Sequence, residues 1–261
     1  MPRFAANLNW MFQEWPLLDR FEAAAQAGFN AVEILFPYEH PPDVIAERLR
    51  RNNLTPALFN MASGNTAAGD RGLAALPERF AELQQAVMTA RTYARETGVR
   101  RFHLVAGKAD RNDPRAVAAF KKSVAFAAEI LGADGIEVML EPINPRDIPG
   151  LFLNDFDLAE QLIQELKLPN VWLQFDIYHR QIIHGDVTKA LERLMPMTRH
   201  IQIASVPSRN EPDGEELNFP FLFGELDRLG YDGFVGCEYR PRGKTMDGLG
   251  WFETCRKRSA S

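Results

Sequence analysis

Eight short apolar runs alternate with eight longer stretches whose apolar residues recur at helical spacing. One strand-and-helix unit recurs roughly every 30 residues, which is the repeat expected of a (β/α)8 barrel. The chain has 261 residues, a usual length for one such barrel. We therefore predict an α/β fold of the TIM-barrel class, in which residues 1–261 form a single domain.

The predicted strands are short and rich in apolar residues, as is typical of strands that are buried on both faces. In chain order they cover residues 3–8, 31–35, 54–60, 101–105, 136–141, 171–176, 200–204 and 234–238. An open, doubly wound sheet is the alternative, and its dinucleotide-binding form carries a GxGxxG turn after the first strand. Here that turn begins at Asn7 and reads NLNW, which favours the barrel.

The predicted helices are marked by their ends as well as by their apolar spacing. Gly28 is placed to end the first helix, and Asp113 followed by Pro114 is typical of a helix start. Residues 61–75 are rich in Gly and Ala and too long for a plain turn, so we interpret them as a lid over the active site. The helices cover residues 16–27, 42–52, 77–97, 113–131, 154–166, 187–194, 220–229 and 247–256.

Composition narrows the classes of function. The chain is 46% hydrophobic and 25% charged, with a formal charge of -5, which is globular composition without the basic excess of nucleic-acid-binding proteins. Its two cysteines, Cys237 and Cys255, form no CxxC motif, which favours a reducing compartment. No apolar stretch approaches the roughly 18 residues of a membrane helix. These features predict a cytoplasmic protein without a nucleic-acid or membrane partner, and they leave a homo-oligomer open.

Carboxylates follow the apolar runs of three late strands. Active sites of barrels lie at the carboxyl ends of the strands. Glu141, Asp176 and Glu238 each come directly after an apolar run, and Gln202 lies near the end of the seventh strand. Three acids buried together are costly through desolvation and mutual repulsion, and a divalent cation removes that cost. Oxygen ligands in this number predict a site for Mg²⁺ or Mn²⁺, with Gln202 adding a neutral oxygen.

Other polar residues at the strand ends and in the following loops are predicted to bind the substrate. Asn7 and Asn60 end the first and third strands, and His179 lies three residues after the acid of the sixth strand. Lys108 and Arg209 lie in the loops after strands four and seven, where a cation can pair with a substrate carboxylate.

The remaining histidines near strands are interpreted as structural. His200 has the same strand parity as the amide of strand seven, so we expect it to point into the barrel one layer deeper. His103 and His184 are likewise interpreted as packing residues.

Seven segments of the sequence resemble the hydroxypyruvate isomerase family, which belongs to the xylose-isomerase-like barrel superfamily. The resemblance covers nearly the whole chain and implies a metal-dependent barrel enzyme that interconverts hydroxypyruvate and tartronate semialdehyde. It also implies that Glu141 and Glu238 are the catalytic acid–base pair, and that Glu141, Asp176, Gln202 and Glu238 hold the metal. The segments are 4–8 (FAANL), 32–38 (VEILFPY), 67–72 (AAGDRG), 141–144 (EPIN), 176–179 (DIYH), 200–204 (HIQIA) and 236–239 (GCEY).

The expected reaction moves a proton between adjacent carbons of a small hydroxy-keto acid. A bound metal stabilises the enediolate, one glutamate removes the proton, and the other returns it. Three alternatives keep the same site: a 2-oxo-tetronate isomerase, a ketose 3-epimerase with the same acid pair, and a non-catalytic sugar-acid-binding protein. An abasic-site endonuclease is a fourth, but it needs a histidine-rich zinc site and a basic face, whereas this chain has five histidines and is acidic.

Overall fold

The computed structural model describes residues 1–259, and within them eight parallel strands close into a barrel in chain order. The predicted fold class is therefore confirmed. The strands agree with the predicted ones to within two residues at either end, and the largest differences are a fourth strand that ends two residues earlier and a seventh strand that begins two residues earlier. They are β1 (Arg3–Asn7), β2 (Ala31–Ile34), β3 (Thr55–Asn60), β4 (Arg101–His103), β5 (Glu137–Leu140), β6 (Val171–Asp176), β7 (Thr198–Ile203) and β8 (Phe234–Cys237).

Nine α-helices surround the barrel within residues 1–259. None of them is long and apolar enough to cross a bilayer. The sequence predicted eight, and α6 is the addition. The helices are α1 (Leu17–Gln26), α2 (Pro42–Arg51), α3 (Phe80–Thr97), α4 (Pro114–Gly132), α5 (Phe156–Leu166), α6 (Ile177–Ile183), α7 (Val187–Leu194), α8 (Phe219–Arg228) and α9 (Gly250–Ser259).

Side-chain caps start several helices where the sequence predicts a start. The Asp113 carboxylate accepts a hydrogen bond from the Arg115 N–H at 2.9 Å, and Asp155 accepts from two amides at the start of α5. The unpredicted α6 begins in the same way, because Asp176 accepts from the Tyr178 N–H at 2.7 Å. Each such cap stabilises a helix by about 1 kcal/mol. One residue therefore ends β6 and starts α6.

Aromatic packing joins the last helix to the first strand. Phe4 of β1 lies edge-on to Phe223, Trp251 and Phe252, with ring centroids 5.1 to 5.9 Å apart. Phe29 stacks on Phe252 at 4.2 Å. Such pairs contribute about 0.5–1.5 kcal/mol beyond the area they bury. The apolar core thus lies between the strands and the ring of helices. The polar side chains lie at the rim formed by the carboxyl ends of the strands.

The strand register brings the polar residues of that rim together. Asp176 of β6 pairs with Gln202 of β7, and Gln202 pairs in turn with Gly236 of β8. On the other side of the barrel Asn7 pairs with Glu33. The carboxyl ends of all eight strands meet at this edge, which is where an active site is expected.

Candidate active site

A cavity of about 300 Å³ opens at the carboxyl rim of the barrel. Five of the residues predicted from the sequence line it: Asn60, Glu141, His179, Arg209 and Glu238. They come from five different strand ends and loops. The closed barrel brings these distant parts of the chain to one place.

Glu141 follows β5 and is 5% exposed. One carboxylate oxygen, Oε2, lies 3.3 Å from Nδ1 of His103. The other, Oε1, has no hydrogen-bond partner and lies 3.8 Å from Nε2 of His179. Burial, with the charges of Glu238 and Asp176, raises the pKa of Glu141 well above its usual value. The site therefore holds a carboxyl group that binds a proton readily.

Asp176 lies directly beneath the cavity and is fully buried. Its Oδ1 is engaged as the cap of α6, whereas Oδ2 has no hydrogen-bond partner. Oδ2 lies 3.6 Å from Nε2 of His179 and 4.0 Å from Nη2 of Arg209. Burial raises the pKa of Asp176 to about 6, against the opposing effect of the Arg209 charge.

Glu238 follows β8, three strands along the barrel from the strand that Glu141 follows, and lines the same cavity. Its Oε1 accepts a hydrogen bond from Nη2 of Arg209 at 3.2 Å. Burial raises the pKa of Glu238 to about 8, although Arg209 lowers it. A carboxyl group with a pKa near neutrality is suited to accept and return a proton at physiological pH.

Arg209 lies over the carboxylates with its side chain 14% exposed. Its Nη1 donates to Oδ2 of Asp147 at 2.8 Å, and its guanidinium lies over the rings of Trp10 and Tyr178, at 4.4 and 4.7 Å from their centroids. The backbone of Arg209 is left-handed, with a φ of 55°. Such a conformation is costly for a side-chain-bearing residue, so the surrounding contacts hold this cation in place.

The hydrogen bonds of His179 fix which ring nitrogen carries the proton. The Asp147 N–H donates to Oδ1 of Asn144 at 2.9 Å, so the amide nitrogen Nδ2 of Asn144 turns toward Nδ1 of His179, 2.7 Å away. Nδ1 therefore accepts, and Nε2 bears the hydrogen of the neutral ring. Burial lowers the pKa of His179 well below its usual value. An N–H donor thus points toward Glu141 and Asp176.

The donor set fits a divalent cation. Carboxylate oxygens of Glu141 and Asp176 lie within 4.8 Å of each other and of a ring nitrogen of His179, whose Nε2–H is a donor and not a ligand. Two buried carboxylate oxygens without hydrogen-bond partners, Oε1 of Glu141 and Oδ2 of Asp176, belong to this group. Buried carboxylate oxygens without a hydrogen bond are costly, and hard cations such as Mg²⁺ and Mn²⁺ prefer oxygen ligands.

Gln202 and Asn7, both predicted from the sequence, lie below the cavity and do not line it. Gln202 is fully buried; its Nε2 donates to Glu33 at 3.0 Å, and its Oε1 accepts from Nε2 of Gln174 at 2.6 Å. Asn7 also donates to Glu33, at 3.0 Å. Direct contact between Asn7 and a substrate therefore stays a prediction, and the geometry gives Asn7 a bond to Glu33 instead.

Lys108 is exposed and lies outside the cavity. Its backbone forms an isolated antiparallel bridge with Leu151. His200 is fully buried and contacts Glu33, one layer below the rim as expected. His103, which we interpreted as a packing residue, reaches the cavity wall against Glu141.

The segment 61–75 lies at the mouth, and three of its side chains, Ser63, Thr66 and Arg71, line the cavity. Its backbone is tied to the chain after β4, because the N–H groups of Leu73 and Ala75 donate to the carbonyls of Val105 and Ala106 at 3.3 and 2.7 Å, and Gly72 bridges Ala106. Sequence reasoning expected a lid here but did not single out Arg71. The signal in the sequence that could have identified Arg71 is a cation within a glycine-rich loop.

The fold and the site define a class: a TIM-barrel protein whose rim cavity is lined by two buried carboxyl groups with raised pKa values. The chain belongs to the family described as xylose isomerase-like TIM barrel, whose sequence model matches residues 21–255.

Relatives over nearly the full length are named isomerases. A 2-oxo-tetronate isomerase of Cupriavidus necator is 51% identical over 255 residues, covering 97% of this chain and 98% of that protein. The hydroxypyruvate isomerase of Escherichia coli is 38% identical over 258 residues, covering 98% and 100%. The crystal structure of a Brucella melitensis protein described as AP endonuclease, family 2, matches with a TM-score of 0.95 at 47% identity, covering 97% and 99%. The prediction that the chain is an isomerase is confirmed.

Proposed function

We propose that this isomerase interconverts a small 2-oxo-3-hydroxy acid and its 2-hydroxy-3-oxo isomer through a shared enediolate. The observation that carries the proposal is the pair of buried carboxyl groups, Glu141 and Glu238, which face one cavity and have raised pKa values. Moving a proton between adjacent carbons needs groups that accept and return it near neutral pH.

The proton transfer is assigned to the two glutamates. One carboxylate removes the proton from the carbon that bears the hydroxyl group, and the other, or the same one, delivers a proton to the neighbouring carbon. Within the enediolate the hydroxyl proton passes to the neighbouring oxygen, so that the former hydroxyl carbon becomes the carbonyl and the former carbonyl carbon bears the hydroxyl group. Carboxylates at the ends of two separate strands can flank the two carbons, which suits a stereospecific transfer. Trp10 and Arg209 line the cavity beside the carboxylates, with the guanidinium of Arg209 over the Trp10 ring.

Glu141, Asp176, Gln202 and Glu238 are proposed to hold Mg²⁺ or Mn²⁺. When bound, the cation supplies stabilisation of the negative charge that develops on the enediolate oxygens. The support is the chemistry of the donor set and the two buried oxygens without partners.

The remaining cavity residues are proposed to orient the substrate. The Nε2–H of His179 is placed to donate to a substrate oxygen near the carboxylates. Oδ1 of Asn60 is buried without a partner and suits a substrate hydroxyl donor. Arg209 and Arg71 are the cations on the cavity wall, and a substrate carboxylate needs such a partner in an otherwise acidic site.

Two substrates carry the required atoms. Relatives that are 51% and 44% identical are named 2-oxo-tetronate isomerase, so we place the four-carbon acid first. Hydroxypyruvate, the substrate predicted from the sequence, is the three-carbon member of the same class, and a relative with that name is 38% identical. Both share the 2-oxo-3-hydroxy unit on which the mechanism acts.

A substrate panel followed by NMR in deuterated water tests the proposal. The panel contains 2-oxo-tetronate, hydroxypyruvate and D-fructose, each with Mn²⁺ or with EDTA. We expect isomerisation of at least one acid, with solvent deuterium entering the product, and a loss of rate in EDTA. Binding of an acid without deuterium exchange would support a non-catalytic binding protein, and epimerisation of the ketose alone would support a 3-epimerase.

A further inference from the structure

Glu33 is a carboxylate on β2 that is fully buried beneath the cavity. Its Oε2 accepts hydrogen bonds from Nδ2 of Asn7 and from Nε2 of Gln202, both at 3.0 Å. Its Oε1 contacts Nε2 of His200. A charge taken this far from water persists only when donors satisfy it, and here three side chains do so.

The space for this carboxylate is made by Gly236 on β8. A Cβ atom at Gly236 would overlap the carboxylate of Glu33, so only glycine leaves room for it. Gly236 is also the register partner of Gln202. Glu33 therefore reaches across the barrel from β2 to meet the amide on β7, with no side chain of β8 between them.

The bond to Glu33 sets the orientation of the Gln202 amide. Oε2 of Glu33 accepts from Nε2 of Gln202, so Gln202 turns its NH2 group toward Glu33. The amide oxygen then faces the other way, where it accepts from Gln174, a residue of the cavity wall. A carbonyl oxygen accepts at two lone pairs, so one remains for a further partner.

We propose that Glu33 is a positioning residue, which fixes the Gln202 amide so that its oxygen, rather than its NH2 group, is directed to the cation site. The inference rests on the proposed function in taking Gln202 as a metal ligand. An amide NH2 cannot bind a cation, so a reversed Gln202 would remove one ligand and add a repulsive dipole.

A different role for Glu33 has to be separated from this one. As a buried negative charge, Glu33 would attract a cation into the site without acting through Gln202. The two roles differ in one respect: positioning requires the amide at residue 202, whereas attraction by charge does not. A double-mutant cycle on cation affinity distinguishes them.

The experiment measures Mn²⁺ binding by calorimetry, without substrate, in the full chain and in Glu33→Gln, Gln202→Met and the double variant. Glutamine at position 33 can present either its oxygen or its NH2 group, so it no longer dictates how Gln202 turns. We expect Glu33→Gln to weaken Mn²⁺ binding about tenfold, the usual effect of losing a group that orients a ligand. In the Gln202→Met background, Glu33→Gln should weaken Mn²⁺ binding by less than about twofold.

The proposal is overturned if Glu33→Gln weakens Mn²⁺ binding equally with and without Gln202→Met. It is also overturned if Glu33→Gln alone does not weaken Mn²⁺ binding. Absence of Mn²⁺ binding to the unaltered protein overturns it as well. If the unaltered protein binds Mn²⁺ but isomerises none of the acids, the proposed function fails while the role of Glu33 stands. The two failures are therefore distinguishable.

Thermal unfolding of each variant shows whether it folds. Should Glu33→Gln not fold, the exchanged pair, E33Q with Q202E, takes its place. The exchange again sets an acceptor-only carboxylate opposite an amide, with an oxygen directed to the cation site. We expect it to bind Mn²⁺ at least as tightly as the unaltered protein, and binding weaker than that of Gln202→Met overturns the proposal.

Discussion

The guanidinium of Arg209 donates a hydrogen bond to the carboxylate of Glu238, with Nη2 3.2 Å from Oε1. A cation of the chain itself therefore lies on one of the two acids to which we assign proton transfer. A substrate carboxylate that approaches the mouth competes with Glu238 for this guanidinium. Binding of the substrate would thereby free the Glu238 carboxylate for the reaction.

Replacement of Arg209 tests its part in substrate binding. We expect Arg209→Met to raise the KM for the hydroxy-oxo acid at least about tenfold, because a charge-assisted hydrogen bond to the substrate is lost. Arg240→Met is the matched control, since Arg240 is exposed and lies beside the same Trp10 ring without touching the carboxylates. Steady-state kinetics of both variants decide the point, and equal KM values would refute the role of Arg209.

Removal of either proposed acid–base group should stop proton transfer without unfolding the barrel. We expect Glu141→Gln and Glu238→Gln each to lower kcat by about 10²–10⁴-fold, the usual contribution of a positioned acid or base. Deuterium entry into the substrate, followed by NMR, measures the step directly. Glu165→Gln on the exposed face of α5 is the control for the change of charge. Full exchange in both active-site variants would contradict the assignment.

The sequence predicted Lys108 as a substrate-binding cation, whereas the structure places Arg71 on the cavity wall. Substitutions at the two positions distinguish these assignments. Arg71 lines the cavity, and its guanidinium donates hydrogen bonds to the carbonyls of Thr66 and Asp70. We expect Arg71→Ala to raise KM about tenfold through the loss of a charged contact. Lys108→Ala should leave KM within about twofold, since Lys108 is exposed outside the cavity. The opposite ranking would favour the original assignment of Lys108.

The anchoring of segment 61–75 can be tested at two glycines. Gly72 has a φ of 103°, and a Cβ there would collide with the backbone of Val105 and Gly107. Gly69 has a similar φ of 96° but open space around a Cβ, so Gly69→Ala reproduces the backbone strain alone. We expect Gly72→Ala to lower the free energy of unfolding by about 1–3 kcal/mol and to do so more than Gly69→Ala. Chemical denaturation compares the two, and equal losses would count against the close approach.

Metal-free protein should be more stable in mild acid than in mild alkali. Folding raises the pKa of Glu238 from 4.5 to about 8 and that of Asp176 from 3.8 to about 6. The folded state therefore binds more protons than the unfolded state between these values, and the free energy of unfolding falls as the pH rises from about 4 to about 8. Thermal unfolding with EDTA at pH 5.5 and pH 8 measures this, with Mn²⁺ expected to narrow the difference. A higher melting temperature at pH 8 in EDTA would contradict it.

The fold was predictable because each strand and most helices carry their own local signals. Gly28 and Asp113 mark helix ends in the sequence as they do in the structure. Helix α6 escaped prediction because it has no separate start signal: Asp176 is at once the last residue of β6 and the cap of the helix. Apolar periodicity reveals only one of the two structural roles of such a residue.

The sequence by itself determined which strands end in acids, because strand periodicity and the (β/α)8 repeat place Glu141, Asp176 and Glu238 at the same rim. The tertiary structure alone decided how far each side chain reaches and which atoms it meets. Periodicity gives the face of a strand, but the depth within the barrel depends on register, on the path of each loop and on the side chains across the interior. For that reason Gln202 and Glu33 meet below the cavity although they are separated by 169 positions along the chain.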